Sequence, residues 1–189
     1  MAGDAIAQTI KDTWRDIEEW YRQHAPRLLE DLATGASDAE ISDLEGRLGL
    51  TLPDDYKASL RIHNGDLNVH AYHYMTIDSV AGTWAMMTDL SNSGAFKGRP
   101  IDQDGGGIIR NTWWDRGWVP FLEDSGGNLF CIDTAPAAEG IAGQILQMEM
   151  GSGPFPTSYR SFQSWLQDYR NSLYQDKFEV DADGFLREV

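Results

Sequence analysis

The apolar pattern of this chain changes period once, after Gly65, and that change limits the fold more than any other feature. Before Gly65 apolar residues recur at helical spacing; after it they gather mainly in short runs rich in aromatic and β-branched residues. Helices grouped first and strands grouped later predict an α+β fold, because alternating β and α segments would be needed for a parallel sheet.

In residues 4–24, Ile6, Ile10, Ile17, Tyr21 and His24 form one helical stripe, with Trp14 and Trp20 flanking it. Pro26 interrupts the stripe and suits the first position of a restarted helix. Ser37-Asp38-Ala39-Glu40 has the spacing of a capping box, and the helix it opens buries Ile41, Leu44 and Leu48 before stopping at Gly49. Leu52-Pro53-Asp54-Asp55-Tyr56 starts a further helix with Pro53 at its first position and two carboxylates at the positive end of the dipole. Tyr56, Leu60 and His63 share its face, and Asn64-Gly65 ends it.

Residues 70–77 read as a strand, and Asp78 as the cap of a helix over 79–90 that carries Val80, Trp84 and Met87. Residues 91–107 read as a loop. Strands follow at 108–114, 119–122, 128–133 and 144–150, with a turn at 123–127 and a loop at 151–156. Thr157 or Ser158 caps a last helix with Tyr159, Phe162, Trp165, Leu166 and Tyr169 on one face. A terminal hairpin within 177–188 joins 178–180 to 185–188 across Asp-Ala-Asp-Gly. With no repeat and no linker, residues 1–189 are expected to form one α+β domain. Its central mixed or antiparallel sheet is flanked by N-terminal helices and one C-terminal helix.

Composition narrows the function classes. No apolar run approaches the roughly 20 residues of a membrane span. The first residues lack the basic-then-apolar order of a signal peptide, and Cys131 is the single cysteine, so a cytoplasmic setting is expected. Thirty acidic residues against 15 basic ones give a net charge of −15. Between Glu30 and Asp55 every charged residue except Arg47 is acidic, and no Lys or Arg falls between Arg116 and Arg160. Such a surface repels nucleic acid and anionic membranes and favours a basic partner.

Three segments together resemble a known family. They are 35–50, with Gly-Ala-Ser-Asp-Ala-Glu-Ile and Leu-Glu-Gly-Arg-Leu-Gly-Leu; 52–65, Leu-Pro-Asp-Asp-Tyr-Lys-Ala-Ser-Leu-Arg-Ile-His-Asn-Gly; and 118–133, Trp-Val-Pro-Phe-Leu-Glu-Asp-Ser-Gly-Gly-Asn-Leu-Phe-Cys-Ile-Asp. In order and spacing they are similar to the SUKH superfamily, which includes the fungal cell-wall-synthesis regulators of the Smi/Knr type. The resemblance covers about residues 14–175; segment 91–116 matches no pattern of the family. It implies a sheet wrapped by helices and a protein that works by binding. The leading expectation it implies is an immunity protein that neutralises a cognate bacterial toxin, such as a nuclease, by stoichiometric binding and occlusion of its active site. The alternative is a regulatory or scaffold protein with an endogenous partner.

Catalytic readings fare poorly. His63, Asp66, His70 and His73 cluster in sequence, but His70 and His73 would face opposite ways on a strand, so packing and capping roles are preferred to a metal site. Cys131 lies in the apolar run Leu129-Phe130-Cys131-Ile132 and reads as an inert buried thiol. Asp104-Gly105-Gly106-Gly107 lacks the Lys-Ser/Thr of a phosphate loop, and Glu179-x-Asp181-x-Asp183-Gly184 lacks the closing Glu of a calcium loop. No catalytic residue, cofactor or metal is therefore predicted. The predicted partner-binding group is Asp102, Asp104, Trp113, Trp114 and Asp115, extended by Glu123 and Asp124. Adjacent tryptophans on a strand must face opposite ways, so one should be exposed among acids, the composition of an interface anchor.

Overall fold

A computed structural model describes residues 2–69, 71–101, 105–175, 177–181, 184 and 186–189. The helical half comprises α1 (Ala2–His24), α2 (Pro26–Asp31), α3 (Asp38–Leu48) and α4 (Asp54–Leu60). The sheet half contains β1 (Leu67–Val69), β2 (Tyr72–Tyr74), α5 (Ile77–Asn92), β3 (Trp118–Asp124), β4 (Leu129–Asp133), β5 (Gln144–Glu149) and β6 (Gly153–Pro156). Helix α6 (Phe162–Tyr174) and the hairpin β7 (Phe178–Val180) and β8 (Leu186–Glu188) follow. Strands β1 to β6 form one antiparallel sheet in chain order. The α+β reading holds, and the sheet is antiparallel at every described pairing.

Local signals explain the elements. The Ser37 hydroxyl accepts from the Glu40 N–H while the Glu40 carboxylate accepts from the Ser37 N–H, and Gly49 closes α3 in the left-handed region. Gly65 does more than end a helix. Its φ is +67°, and a Cβ there would sit 2.3 Å from the Met75 carbonyl oxygen, so only glycine fits. Beside it, Asn64 Oδ1 accepts from the Ile77 N–H at 2.9 Å and ties the end of the helical half to the start of α5.

Several expected boundaries move. Residues 67–69 and 72–74 form two short antiparallel strands in place of the single strand expected over 70–77. Thr76 caps α5 by accepting from the Ser79 N–H, so Asp78 lies inside the first turn. Residues 108–114 form turns and bends and no strand. Residues 153–156 pair with β5 as β6, although Pro154 and Pro156 suggested a loop. Ser161 caps α6, so Tyr159 precedes that helix. Pro53 is the N-cap of α4 and not its first residue.

Both faces of the sheet are covered. On one, Tyr74 and Phe121 meet Phe162 and Trp165 of α6, and Tyr56 of α4 packs on Phe121. A register shift between Pro120 and Leu122 supplies the extra residue that brings Phe121 to this side. Helix α1 joins the same layer: Trp14 donates to Ser59 Oγ at 2.8 Å, Arg170 grips Asp16 through two guanidinium nitrogens, and the hydroxyls of Tyr21 and Tyr169 bond to each other. On the other face, Trp118 meets Trp114 edge to face, and Thr83 of α5 donates to Glu123 at 3.4 Å. That layer includes α5 and the irregular stretches 93–101 and 105–117, whose Phe96, Ile109, Trp113 and Trp114 are buried.

Candidate functional site

The described members of the predicted partner-binding group, Trp113, Trp114, Asp115, Glu123 and Asp124, do not share one exposed surface. Asp102 and Asp104 lie outside the described residues. The expectation of one exposed tryptophan is corrected: Trp113 is 5% and Trp114 4% exposed. The reason is local. Without a strand at 108–114 no alternation forces the two rings apart, and both turn onto the sheet. Trp113 donates to the Arg99 carbonyl at 3.0 Å, stacks on Phe96 and carries the Arg99 guanidinium 4.1 Å from its ring centre. Trp114 donates to Thr88 of α5 at 3.1 Å. Asp115 accepts from Arg110 at 2.8 Å and from the Gly117 N–H, which makes it a turn anchor. Strand β3 then runs from Trp118 to Asp124, roughly 20 Å at about 3.3 Å per residue, and carries Asp124 away from the turn that holds Asp115.

Glu123 and Asp124 sit at the far end of β3, where the sheet offers a different site. Asp124 is the staple of the β3–β4 turn, accepting from the N–H groups of Gly126 and Asn128 and from the Asn128 amide, each at 2.8 Å. Partial burial works against its charge, but these hydrogen bonds outweigh it and hold the carboxyl below the usual carboxylate range. A shallow cleft of about 320 Å³ is lined by Asn68, Tyr72, His73, Glu123, Asp124 and Ser125, together with Ala71. Tyr72 stands edge-on to Phe130 at 4.9 Å, and its hydroxyl accepts from Gln147 at 3.0 Å. Phe130 pairs with Gln147 on β5, and Gln147 with Phe155 on β6. Tyr72, Phe130, Gln147 and Phe155 are all half-buried, so a row of partly open rings crosses the sheet. Asp124 pairs with Tyr72 across the β2–β3 ladder, and Glu149 lies two residues beyond Gln147 on the same face of β5. Burial pushes the Tyr72 hydroxyl above its ordinary pKa, and the negative charges of Asp124 and Glu149 push it further. Phe130, Gln147, Phe155 and Glu149 were not singled out in the sequence; only the register reveals that they share a face with Tyr72.

The groups best suited to chemistry are occupied structurally. Burial, with Asp133 nearby, raises the pKa of the Cys131 thiol, the opposite of what a nucleophile needs. Burial also raises the pKa of Asp55, which accepts from the N–H groups of Tyr56 and Gln163 and so pins the start of α6 to α4. Asp133, likewise raised by burial, accepts from Gln144 and from the Ala135 N–H. His63 bonds to Glu18 and to the Ala33 carbonyl, and His73 lies near Asn68 and Asp66; His70 is outside the described residues. No grouping of three His, Cys, Asp or Glu suited to a metal occurs among the described residues. No described helix is long and apolar enough to cross a membrane. The arrangement offers shape, rings and negative charge.

Residues 35–168 match the model of the SMI1 / KNR4 family (SUKH-1). The "Cell wall biosynthesis/cell cycle regulator smi1" of Schizosaccharomyces pombe is 26% identical over 197 residues, covering 95% of this chain and 39% of the relative. The "Cell wall assembly regulator SMI1" of Saccharomyces cerevisiae is 22% identical over 214 residues, covering 91% of this chain and 42% of the relative. "F-box only protein 3" of Mus musculus is 41% identical over 56 residues, 30% of this chain and 12% of that protein. The chain thus spans about two-fifths of the length of the fungal relatives it matches.

Proposed function

The chain belongs to the SMI1 / KNR4 family (SUKH-1), and from that premise we propose that it is a non-enzymatic regulatory protein that acts by binding a partner protein. The observation that carries this reading is the family match itself, joined to relatives whose names describe regulators of cell-wall synthesis and assembly. The site chemistry supports it: raised carboxyls and the thiol serve the fold, while the partly open rings and acids at the end of β3 suit a protein contact. Glu123 and Asp124 belong to that contact. Trp113 and Trp114 serve the protein from inside, by holding segment 93–117 on the sheet. The partner is basic and the setting cytoplasmic, with no role for nucleic acid, metal or cofactor.

The test is affinity purification of the tagged full chain at low and at high salt, followed by mass spectrometry and reconstitution from pure components. A stoichiometric complex that weakens as salt rises is expected. Turnover of a substrate by the purified chain, or no reconstitutable partner, refutes the role.

A second reading is favoured by the net charge of −15: neutralisation of a basic bacterial toxin by occlusion of its active site. Under it, a toxin gene adjoins the gene for this chain, and co-expression rescues growth. A neighbourhood without a toxin gene leaves only the regulatory reading.

A further inference from the structure

We propose that the row Tyr72, Phe130 and Phe155, with Asp124 and Glu149 at its margins, seats an arginine-bearing segment of the partner protein. This rests on the binding role proposed above and names its surface and chemistry.

Three observations converge. First, the helices that cover this face of the sheet seal Tyr74 and Phe121 completely, at 0% exposure each, yet leave Tyr72, Phe130, Gln147 and Phe155 half-open beside them. The apolar surface continues past its cover. Second, the open rings are organised. Phe130 and Tyr72 meet edge to face, and the Gln147 amide is spent on the Tyr72 hydroxyl, which fixes the tyrosine ring. A rigid aromatic anchor loses little entropy on binding. Third, the charge around the rings is negative and uncompensated. Asp124 bonds only to its own turn and Glu149 to the Ser152 hydroxyl, and neither pairs with a Lys or Arg among the described residues. Arg99, which donates to the Met150 carbonyl beside Glu149, lies on the Trp113 ring.

Those features select a ligand. A guanidinium is planar, stacks on aromatic faces and bonds to a carboxylate at the same time, whereas an ammonium is compact and strongly hydrated. Glu123 and His73 occupy the other side of the same cleft, and Glu123 adds negative charge there. An arginine entering over Tyr72 meets rings below and carboxylates at its sides.

The experiment uses the ¹⁵N-labelled full chain and two synthetic peptides of equal length, one alternating Arg with Gly and one alternating Lys with Gly, at physiological salt. The Arg peptide is expected to move the amide signals of Tyr72, Phe130, Gln147 and Phe155 first, and to bind several-fold more tightly than the Lys peptide. Tyr72→Ala should weaken it by about tenfold, as loss of an interface anchor does. Glu149→Gln should weaken it by about threefold, and circular dichroism should show both variants folded. If Tyr72→Ala fails to fold, Phe155→Ser at the sheet edge takes its place. Equal shifts on the acidic faces of α1 to α3, equal affinity for the two peptides, no binding, or parental binding by the variants would each overturn the proposal. A partner from the salt-dependent purification that binds Tyr72→Ala as tightly as the parent removes this surface and leaves the binding role standing. Failure to recover any partner removes the role.

Discussion

The two faces of the sheet are buried by different means. One is covered by α1, α4 and α6, whose apolar stripes follow the helical period. The other is covered by α5 together with residues 93–101 and 105–117, in which no strand occurs among the described residues. Yet Trp114 and Trp118 on the second face are as enclosed as Tyr56 and Phe162 on the first. The difference lies in how backbone polarity is handled. Helices satisfy their own N–H and C=O groups, whereas an irregular cover has to find partners elsewhere. On this face two tryptophans supply partners, Trp84 donating to the Arg116 carbonyl and Trp113 to the Arg99 carbonyl, while Trp114 donates to the Thr88 hydroxyl of α5. Each indole buries a large ring and holds a piece of segment 93–117 with the same side chain. An irregular segment can therefore serve as core cover when its large rings also carry a donor.

The sharpest way to break this equivalence is to remove one ring from each side. Trp14→Ala and Trp114→Ala should each cost about 3–5 kcal/mol of unfolding free energy, measured by chemical denaturation. One transition seen identically by circular dichroism and tryptophan fluorescence is expected for the parent, because both layers rest on one sheet and form one cooperative unit. A Trp114→Ala variant that keeps its midpoint would show that segment 93–117 is merely laid on the surface. Next in size is Gly65→Ala, at the junction between the helical half and the sheet. Its positive φ and the clash with the Met75 carbonyl should cost about 2–3 kcal/mol, with weaker hydrogen-exchange protection of α5.

Smaller effects separate the polar pins of each side. Asp55→Ala strands the N–H groups of Tyr56 and Gln163 and should cost about 1–3 kcal/mol. Asp55 and Asp133 also set a pH dependence of unusual sign. Burial raises both pKa values in the folded protein, so between the ordinary value of 3.8 and the raised values the fold binds more protons than the unfolded chain. Their contribution is fully present below 3.8 and is lost as pH rises through the raised values. Denaturation of Asp133→Asn across that window should show a flatter profile than the parent. The smallest change is Ser37→Ala, which removes one side of the α3 capping box and should cost about 1 kcal/mol, read as a shifted denaturation midpoint.

What could be read from the sequence follows the same division. The helices were legible because their apolar residues repeat at the period of the element that buries them, as Ile41, Leu44 and Leu48 do in α3, and because Ser37 and Gly49 mark the ends of α3 by local chemistry. Segment 93–117 was not, since the burial of Trp113 and Trp114 depends on Arg99 and Thr88, 14 and 26 residues away. The spacing of apolar residues at 108–114 predicts alternation, and with it an exposed ring, in a stretch that forms no strand. The site divides likewise. Glu123 and Asp124 were visible as acids in a turn, but Phe130, Gln147 and Phe155 join Tyr72 only through strand register. Register is a property of pairs of strands, and nothing within 128–133 alone announces it.

The prolines of β6 have a bearing on how molecules of this chain behave toward one another. Thr157 sends its N–H inward to the Ile145 carbonyl, so in an antiparallel ladder the alternate positions, 154 and 156, turn their nitrogens outward. Both are proline and carry no hydrogen there. The unpaired rim of β6 thus lacks donors at both outward positions, and it is buried at Gly153 and Pro154, so an approaching strand finds half of its hydrogen bonds missing. Fibrillar stacking and edge-to-edge pairing are closed off on that side by two imino acids, leaving the three-residue rim of β1 as the only other end of the described sheet from which a strand could be added.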